Sequence, residues 1–275
     1  MDIDAYLKRI HLLERPPATL EGLRSVQRAH LFAIPYENFD VQLARATTTD
    51  PAAAYEKIVT RRRGGWCYEM NGLLGWALDA LGFRVTRATG AVFRAVRGDV
   101  TVGNHLVLRV DLPEGVFLAD TGFGDGPVEP TVVAPGTYTV NGFTHRIEKL
   151  DETWWRMTNH PIGEGMSFDF MTGPADERVL AERCQWLQSA PESNFVLNAV
   201  AQRCVPGAVK ILRGRTLRVV RPDNYEERLI MDADDLVATL AREFALELPE
   251  AADLWPKIVA RHDRVMAERA AVPPD

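Results

Sequence analysis

The chain has 275 residues, 46% of them hydrophobic and 25% charged, with a formal net charge of −6. This is the composition of an ordinary globular protein with material for a substantial core and for more than one domain. The acidic balance argues against non-specific binding to nucleic acid or to an anionic membrane surface, and no apolar run approaches the roughly 18 residues of a membrane span.

Residues 1–15 mix Asp2, Asp4, Lys8, Arg9 and Glu14 with apolar positions, so the uninterrupted apolar stretch of a secretory signal is missing. Three cysteines, Cys67, Cys184 and Cys204, form neither a CxxC pair nor a Cys/His ligand spacing. The expectation is a reducing cytoplasm, with no disulfide framework and no metal site.

In chain order, the first third reads helical. Asp2 or Asp4 can cap a short helix through Ile10, and Thr19 can cap a second that carries Leu20, Leu23, Val26 and Leu31 at helical spacing. Asp50-Pro51 starts a third, with proline at the first helical position. Met70, Leu73, Leu74, Ala77, Leu78 and Leu81 form the buried stripe of a fourth, which Gly82 can end. The pattern then turns to short strands at 84–96, 105–112, 116–123, 137–150 and 153–158, rich in β-branched and aromatic residues. Between the second and third of these, Pro113 and Gly115 mark a hairpin turn. Asp176 can cap a helix to about Ser189, and two Arg-rich strands follow at 209–220 and 228–231. Asp232 starts a further helix, and an amphipathic helix closes the chain over about 250–268. Helices, then strands, then a mixed tail predict an α+β fold rather than a repeated βαβ winding, with boundaries near 85 and 195.

The segment Arg63-Gly64-Gly65-Trp66-Cys67-Tyr68-Glu69-Met70-Asn71 carries the most chemistry. Its two glycines break the chain, and Cys67 falls in the first turn of the fourth helix. Free amide groups and the helix dipole there favour a thiolate, the nucleophilic form of cysteine. The double glycine is also expected to let the backbone approach a substrate carbonyl and its oxyanion. Cys184 and Cys204 lie among apolar helical positions and read as core residues.

A nucleophilic cysteine needs a base, and the base needs an orienting group. Among six histidines, His105 opens the apolar strand Leu106-Val107-Leu108, and the returning strand Val116-Phe117-Leu118-Ala119 ends on Asp120. A carboxylate in apolar surroundings is costly unless paired, so Asp120 either partners a nearby imidazole or caps the Thr121-Gly122-Phe123-Gly124 loop. A three-residue loop would set Leu112 opposite Val116 and Leu108 opposite Asp120, which turns His105 to the other face. A bulge, or a His105 placed just outside regular pairing, is then required to bring the pair together.

Arg63 to Asn71, the His at 105 and Asp120-Thr121-Gly122-Phe123-Gly124 resemble the arylamine N-acetyltransferases in residue type, order and spacing. Ile34-Pro35-Tyr36-Glu37-Asn38-Phe39, the opening residues 1–6, and Ser193-Asn194-Phe195 with Asn198 are similar to further, weaker motifs of that family. The resemblance implies a helical first domain (1–85) carrying the cysteine, a β-barrel domain (86–195) carrying His105 and Asp120, and an α/β lid (196–275). The core it implies is that of the cysteine proteases. It further implies ping-pong transfer of acetyl from acetyl-CoA as co-substrate, through a Cys67 thioester, to an arylamine or arylhydrazine. No permanently bound cofactor is expected.

Phe123 and Gly124 become candidates for the acyl pocket and its coenzyme, and Tyr36 and Phe93 for an aromatic wall around the amine. Lys210, Arg213, Arg215 and Arg218 are either contacts for coenzyme phosphates or a solvated strand face. Arg63 reads as tied into local structure, Glu69 and Asn71 as hydrogen-bonding groups behind the site. Three rival readings use the same residues: a macrolactam-forming amide synthase, a papain-like hydrolase or transglutaminase, and a binding module in which Cys67 is inert.

Overall fold

The computed structural model describes residues 1–162 and 167–270. Its helices start where the sequence places a cap. Asp2 accepts the Asp4 amide ahead of α1 (Ile3–Arg9), and Thr19 accepts the Gly22 amide ahead of α2 (Leu20–Ala33). After the two-residue strand β1 (Tyr36–Glu37) and the turn α3 (Phe39–Gln42), Asp50 caps α4 (Pro51–Tyr55), which continues into a π-helical turn, Glu56–Thr60. The long α5 (Cys67–Ala80) ends at Leu81, with Gly82 at φ +88°.

The strand region forms one antiparallel sheet of eight. It comprises β2 (Arg84–Val92), β3 (His105–Leu112), β4 (Gly115–Ala119), β5 (Thr131–Val132), β6 (Gly136–Val140), β7 (Phe143–Lys149), β8 (Trp154–Thr158) and β9 (Ser167–Met171). Their order is β5-β4-β3-β2-β9-β8-β7-β6. The two outermost strands are consecutive in sequence, so the sheet curls into a nearly closed barrel. Its interior is filled by Ala88, Val107, Leu118, Phe123, Ile147, Met157, Phe168 and Phe170. The alternate residues of β3, Leu108 and Val110, face outward and pack with Leu73, Leu74 and Ala77 of α5. Gly75 lets that helix lie close, since a Cβ there would sit 3.1 Å from the Leu108 side chain.

Beyond the barrel come α7 (Glu177–Ser189, capped by Asp176), the turn α8 (Asn194–Leu197) and four strands: β10 (Val200–Val205), β11 (Ala208–Arg213), β12 (Thr216–Val220) and β13 (Tyr225–Leu229). With β1 they make a second antiparallel sheet, ordered β1-β10-β11-β12-β13. Helix α9 (Ala233–Phe244, capped by Asp232) and α10 (Trp255–Ala270) cover it through Leu236, Leu240, Phe244 and Ile258. Among the described residues no helix is long and apolar enough to cross a membrane.

The α+β class expected from the pattern is present; several strand boundaries differ. The strand expected over 84–96 stops at Val92, because Phe93 takes φ +64° and turns the chain into α6 (Arg94–Arg97). Residues 137–150 are a hairpin, broken by Asn141 and Gly142 at φ +54° and +86°. Residues 209–220 are likewise a hairpin around Gly214 (φ +56°). Strand β10 was not expected at all, yet it joins β1 to the rest of its sheet.

His30 of α2 is completely buried, with its Nδ1 2.9 Å from the Tyr6 hydroxyl and, among the described residues, no partner for Nε2. Burial pulls its pKa from 6.5 down to about 3. The unfolded chain therefore binds a proton that the folded one refuses, so stability present above pH 6.5 drains away on acidification towards pH 3. Urea unfolding across that window should show this slope, and a His30→Gln variant should lose part of it.

Candidate active site

The two glycines before α5 serve a different close approach from the one expected. A Cβ on Gly64 would lie 2.2 Å from the Pro35 carbonyl oxygen, and Gly65 bridges to Tyr36 while its carbonyl accepts the Glu37 amide at 2.9 Å. Neither glycine lines the cleft described below. They bring the 63–66 segment against β1 rather than against a substrate.

Beneath this loop lies a buried ionic cluster. Lys57 Nζ reaches Glu69 Oε2 at 2.8 Å and Asp40 Oδ2 at 3.0 Å; Arg63 Nη2 reaches Glu37 Oε1 at 2.9 Å and Asp40 Oδ1 at 3.2 Å. Glu69 also accepts the Trp66 amide at 3.2 Å and so fixes the entry to α5. Arg63 and Glu69 thus do the local structural work expected of them. Asn38 extends the tie. Its side chain donates to the carbonyls of Phe195 and Asn198 and accepts the Val200 amide, which joins the 34–39 motif to the 193–198 motif.

Cys67 is the first residue of α5 and is buried with Trp66, Tyr68, Leu106 and Cys184. Its sulfur points to the Asn104 carbonyl at 3.8 Å. Burial, followed by the neighbouring Cys184, pushes the thiol well above the usual cysteine range, and amide donors at Leu106 and Tyr68 only partly oppose this. Such a thiol needs an internal base before it can act as a nucleophile.

His105 opens β3, and Asp120 directly follows β4. The register removes the obstacle foreseen from the sequence. The β3–β4 loop has two residues, Pro113 and Glu114, so Leu112 pairs with Gly115 and Leu108 with Ala119. One further step places Asp120 opposite Val107, on the barrel-facing side it shares with His105. A one-residue slip exchanges the faces, and no bulge is needed. His105 Nε2 lies 2.8 Å from Asp120 Oδ2 with both side chains buried.

Asp120 Oδ1 accepts from Asn71 Nδ2 and from the Gly122 amide, each at 2.7 Å. Asn71, one turn after Cys67, also donates to the Leu106 carbonyl at 2.6 Å and accepts the Thr121 amide at 2.7 Å. It therefore ties α5, β3 and the 120–122 loop together. Gly122 permits the contact, because a Cβ there would stand 2.6 Å from the Cys67 Cα.

Cys67 and His105 open on a cleft of about 410 Å³, which Tyr36, Phe93 and Phe123 also line. Gly124 does not line it. At φ +95° it packs on Gln202, whose Oε1 would be 1.5 Å from an added Cβ, and Gln202 itself reaches the cleft. Sequence reasoning missed Asn104, whose side chain clamps both the amide and the carbonyl of Val92. It also missed Phe168, stacked edge-on to His105 at 5.0 Å, and Trp186 on the cleft wall. None of these carries a local signal, since strand pairing and helix docking bring them in from a distance. Among the described residues no group of three or more His, Cys, Asp or Glu side chains could hold a metal ion.

Replacing Asn71 by Ala leaves the Leu106 carbonyl and the Thr121 amide buried and unpaired, at a cost of about 1–3 kcal/mol. Urea unfolding of the variant at neutral pH should show a loss of that size.

An N-acetyltransferase family model matches residues 19–253. The arylamine N-acetyltransferase of Mycolicibacterium smegmatis is 33% identical over 268 residues, covering 92% of this chain and 94% of that protein. An arylamine N-acetyltransferase / N-hydroxyarylamine O-acetyltransferase of Salmonella typhimurium is 29% identical over 98% of this chain and 94% of its own length. Among solved structures, the M. smegmatis enzyme superposes with a TM-score of 0.85 at 30% identity, over 94% of this chain and 98% of that one. The Mycobacterium marinum arylamine N-acetyltransferase in complex with CoA gives 0.84 at 30% identity, over 96% and 99%. With both sequence and fold matched over most of its length, the chain belongs to the arylamine N-acetyltransferase family of acyltransferases.

Proposed function

We propose that the protein transfers acetyl from acetyl-CoA to the nitrogen of an arylamine or arylhydrazine by a ping-pong route through a thioester on Cys67. The observation that carries this reading is one cleft containing both Cys67 and His105, with the Asp120 carboxylate 2.8 Å behind the imidazole. The M. marinum relative solved with CoA supports the donor.

Because burial disfavours an isolated thiolate, Cys67 ionises by handing its proton to His105. Nε2 faces Asp120, which leaves Nδ1 for the sulfur. The transfer moves charge within the site without adding any: a carboxylate beside a neutral pair becomes a carboxylate beside an ion pair. The thiolate then adds to the thioester carbonyl, and the oxyanion is held by backbone amides around Cys67 at the positive end of α5. Collapse expels CoA, which leaves as the free thiol with the proton held by His105. In the second half, the amine nitrogen attacks the acetyl-cysteine carbonyl. His105 accepts the nitrogen's proton and returns it to the Cys67 sulfur as the amide departs. Asp120 keeps the imidazole oriented and balances its charge.

Tyr36 and Phe93 form the aromatic wall for the amine ring, and Phe123 bounds the acetyl group. Gly124 acts at one remove, by holding Gln202 at the cleft. The helical part (1–85), the barrel (86–195) and the lid (196–275) supply, respectively, the nucleophile, the base with its carboxylate, and a cover. This is the arrangement of a cysteine-protease-like core.

Intact-mass measurement after exposure to acetyl-CoA should show one acetyl group on the protein and none on a Cys67→Ala variant. Acetylation of that variant would overturn the assignment. Release as N-acetyl product by a panel of arylamines separates the enzyme from a macrolactam synthase, which would give none. Steady CoA release without any amine would indicate a hydrolase. Replacing Gly122 by Ala must push the 120–122 loop off Cys67, and kcat/KM should fall on the order of 100-fold.

A further inference from the structure

Phe93 meets the cleft in a backbone conformation that its side chain disfavours. At φ +64° it occupies the left-handed region, which is costly for a bulky residue and persists only where the surroundings hold it. The segment that follows has little apolar means of holding it. Helix α6 (Arg94–Arg97) buries no side chain; Val96 is 83% exposed and Val100, in the next turn, 65%.

Polar ties hold it instead. The Phe93 amide donates to the Ser167 carbonyl of β9 at 3.2 Å, and the Asn104 side chain clamps Val92 just before it. Arg94 is the third tie. Its Nη1 donates to Asp169 Oδ2 of β9 at 3.1 Å, and its guanidinium lies 4.2 Å over the Trp154 ring of β8. Its Nε also donates to Asp99, but that carboxylate is largely exposed and the contact contributes little. Asp169 lies between Phe168 and Phe170, which fill the barrel, so its carboxylate points outward, towards α6.

Charge balance does not require Arg94. Asp169 is sealed from water, yet Arg156, its cross-strand neighbour on β8, already grips it with Nε at 2.7 Å and Nη2 at 3.0 Å. Such a fork satisfies a buried carboxylate by itself. A second guanidinium on the same group adds little to the barrel. What it does is fasten α6, and with it the residue that precedes α6.

We propose that Arg94 is a positioning residue for the acceptor. By fastening α6 to Asp169 and Trp154 it holds Phe93 in its strained conformation at the cleft, and so gives the site its preference for aromatic over non-aromatic nitrogen nucleophiles. The proposal rests on the transferase reading above and concerns its second half, in which nitrogen attacks the acetyl group on Cys67. Arg94 acts only through Phe93, since it does not line the cleft itself.

The test compares phenylhydrazine with hydrazine, which present the same terminal amine with and without a ring. In a ping-pong enzyme, kcat/KM for the acceptor reads the second half-reaction alone. For Arg94→Gln, the ratio of kcat/KM for phenylhydrazine to that for hydrazine should fall by about ten-fold, through KM rather than kcat for phenylhydrazine. Arg94→Lys, which keeps a cation for Asp169 and Trp154, should recover much of the ratio. Alkylation of Cys67 by iodoacetamide should keep its rate and pH profile in both variants, and the urea midpoint should hold because Arg156 still pairs with Asp169. An unchanged ratio, or an equal loss with both nucleophiles, overturns the proposal. If wild-type Cys67 takes no acetyl group, the transferase reading fails separately. Phenylhydrazine binding is then titrated calorimetrically, and equal affinity in the wild type and Arg94→Gln refutes the positioning role.

Discussion

The buried carboxylate of Asp120 is the junction on which the site depends. It accepts three hydrogen bonds, from His105 of β3, Asn71 of α5 and the Gly122 amide of its own loop. A carboxylate so deeply placed is tolerable only with its lone pairs filled by donors. Filling them draws a helix, a strand end and a loop to one point. Cys67 occupies the first turn of that same helix, one turn before Asn71, so Cys67 is positioned by the group that also holds the partner of His105.

A second constraint holds α5 from below. Two cations and three carboxylates, Lys57, Arg63, Glu37, Asp40 and Glu69, are nearly sealed from water. Removing one member of a buried ionic group leaves an uncompensated charge and costs about 3–5 kcal/mol. The whole set therefore acts as a single clamp between β1, the π-helical turn and the start of α5. Gly64 and Gly65 belong to this clamp: without side chains they let the 63–66 segment run against Pro35 and Tyr36. Asn38 carries the clamp into the second sheet, which explains why a two-residue strand from the helical region pairs with β10.

Two concavities differ in lining. The cleft at Cys67 carries Tyr36, Phe93, Phe123 and Trp186 beside charged side chains such as Arg97, Arg183 and Glu192. Among the described residues, a groove beside α10 is lined by several cations and by no Asp or Glu. Asn198 and Arg213 line both concavities.

Local chemistry was enough to read much of this molecule. Caps at Asp2, Thr19, Asp50, Asp176 and Asp232 each start the helix they announce, because a cap acts within three residues of itself. Cys67, His105 and Asp120 stood out for the same reason: a cysteine behind a glycine break, a histidine opening an apolar strand and an acid closing one. Pairing register was beyond reach. A loop of two residues rather than three decides which face Asp120 takes, and the sequence of a Pro-Glu-Gly turn fits either. Equally hidden were Asn104, Phe168 and Gln202, the true neighbour of Gly124, and the partnership of β1 with β10. Each of these contacts joins residues far apart in the chain, and its energy exists only once the barrel and the second sheet have closed.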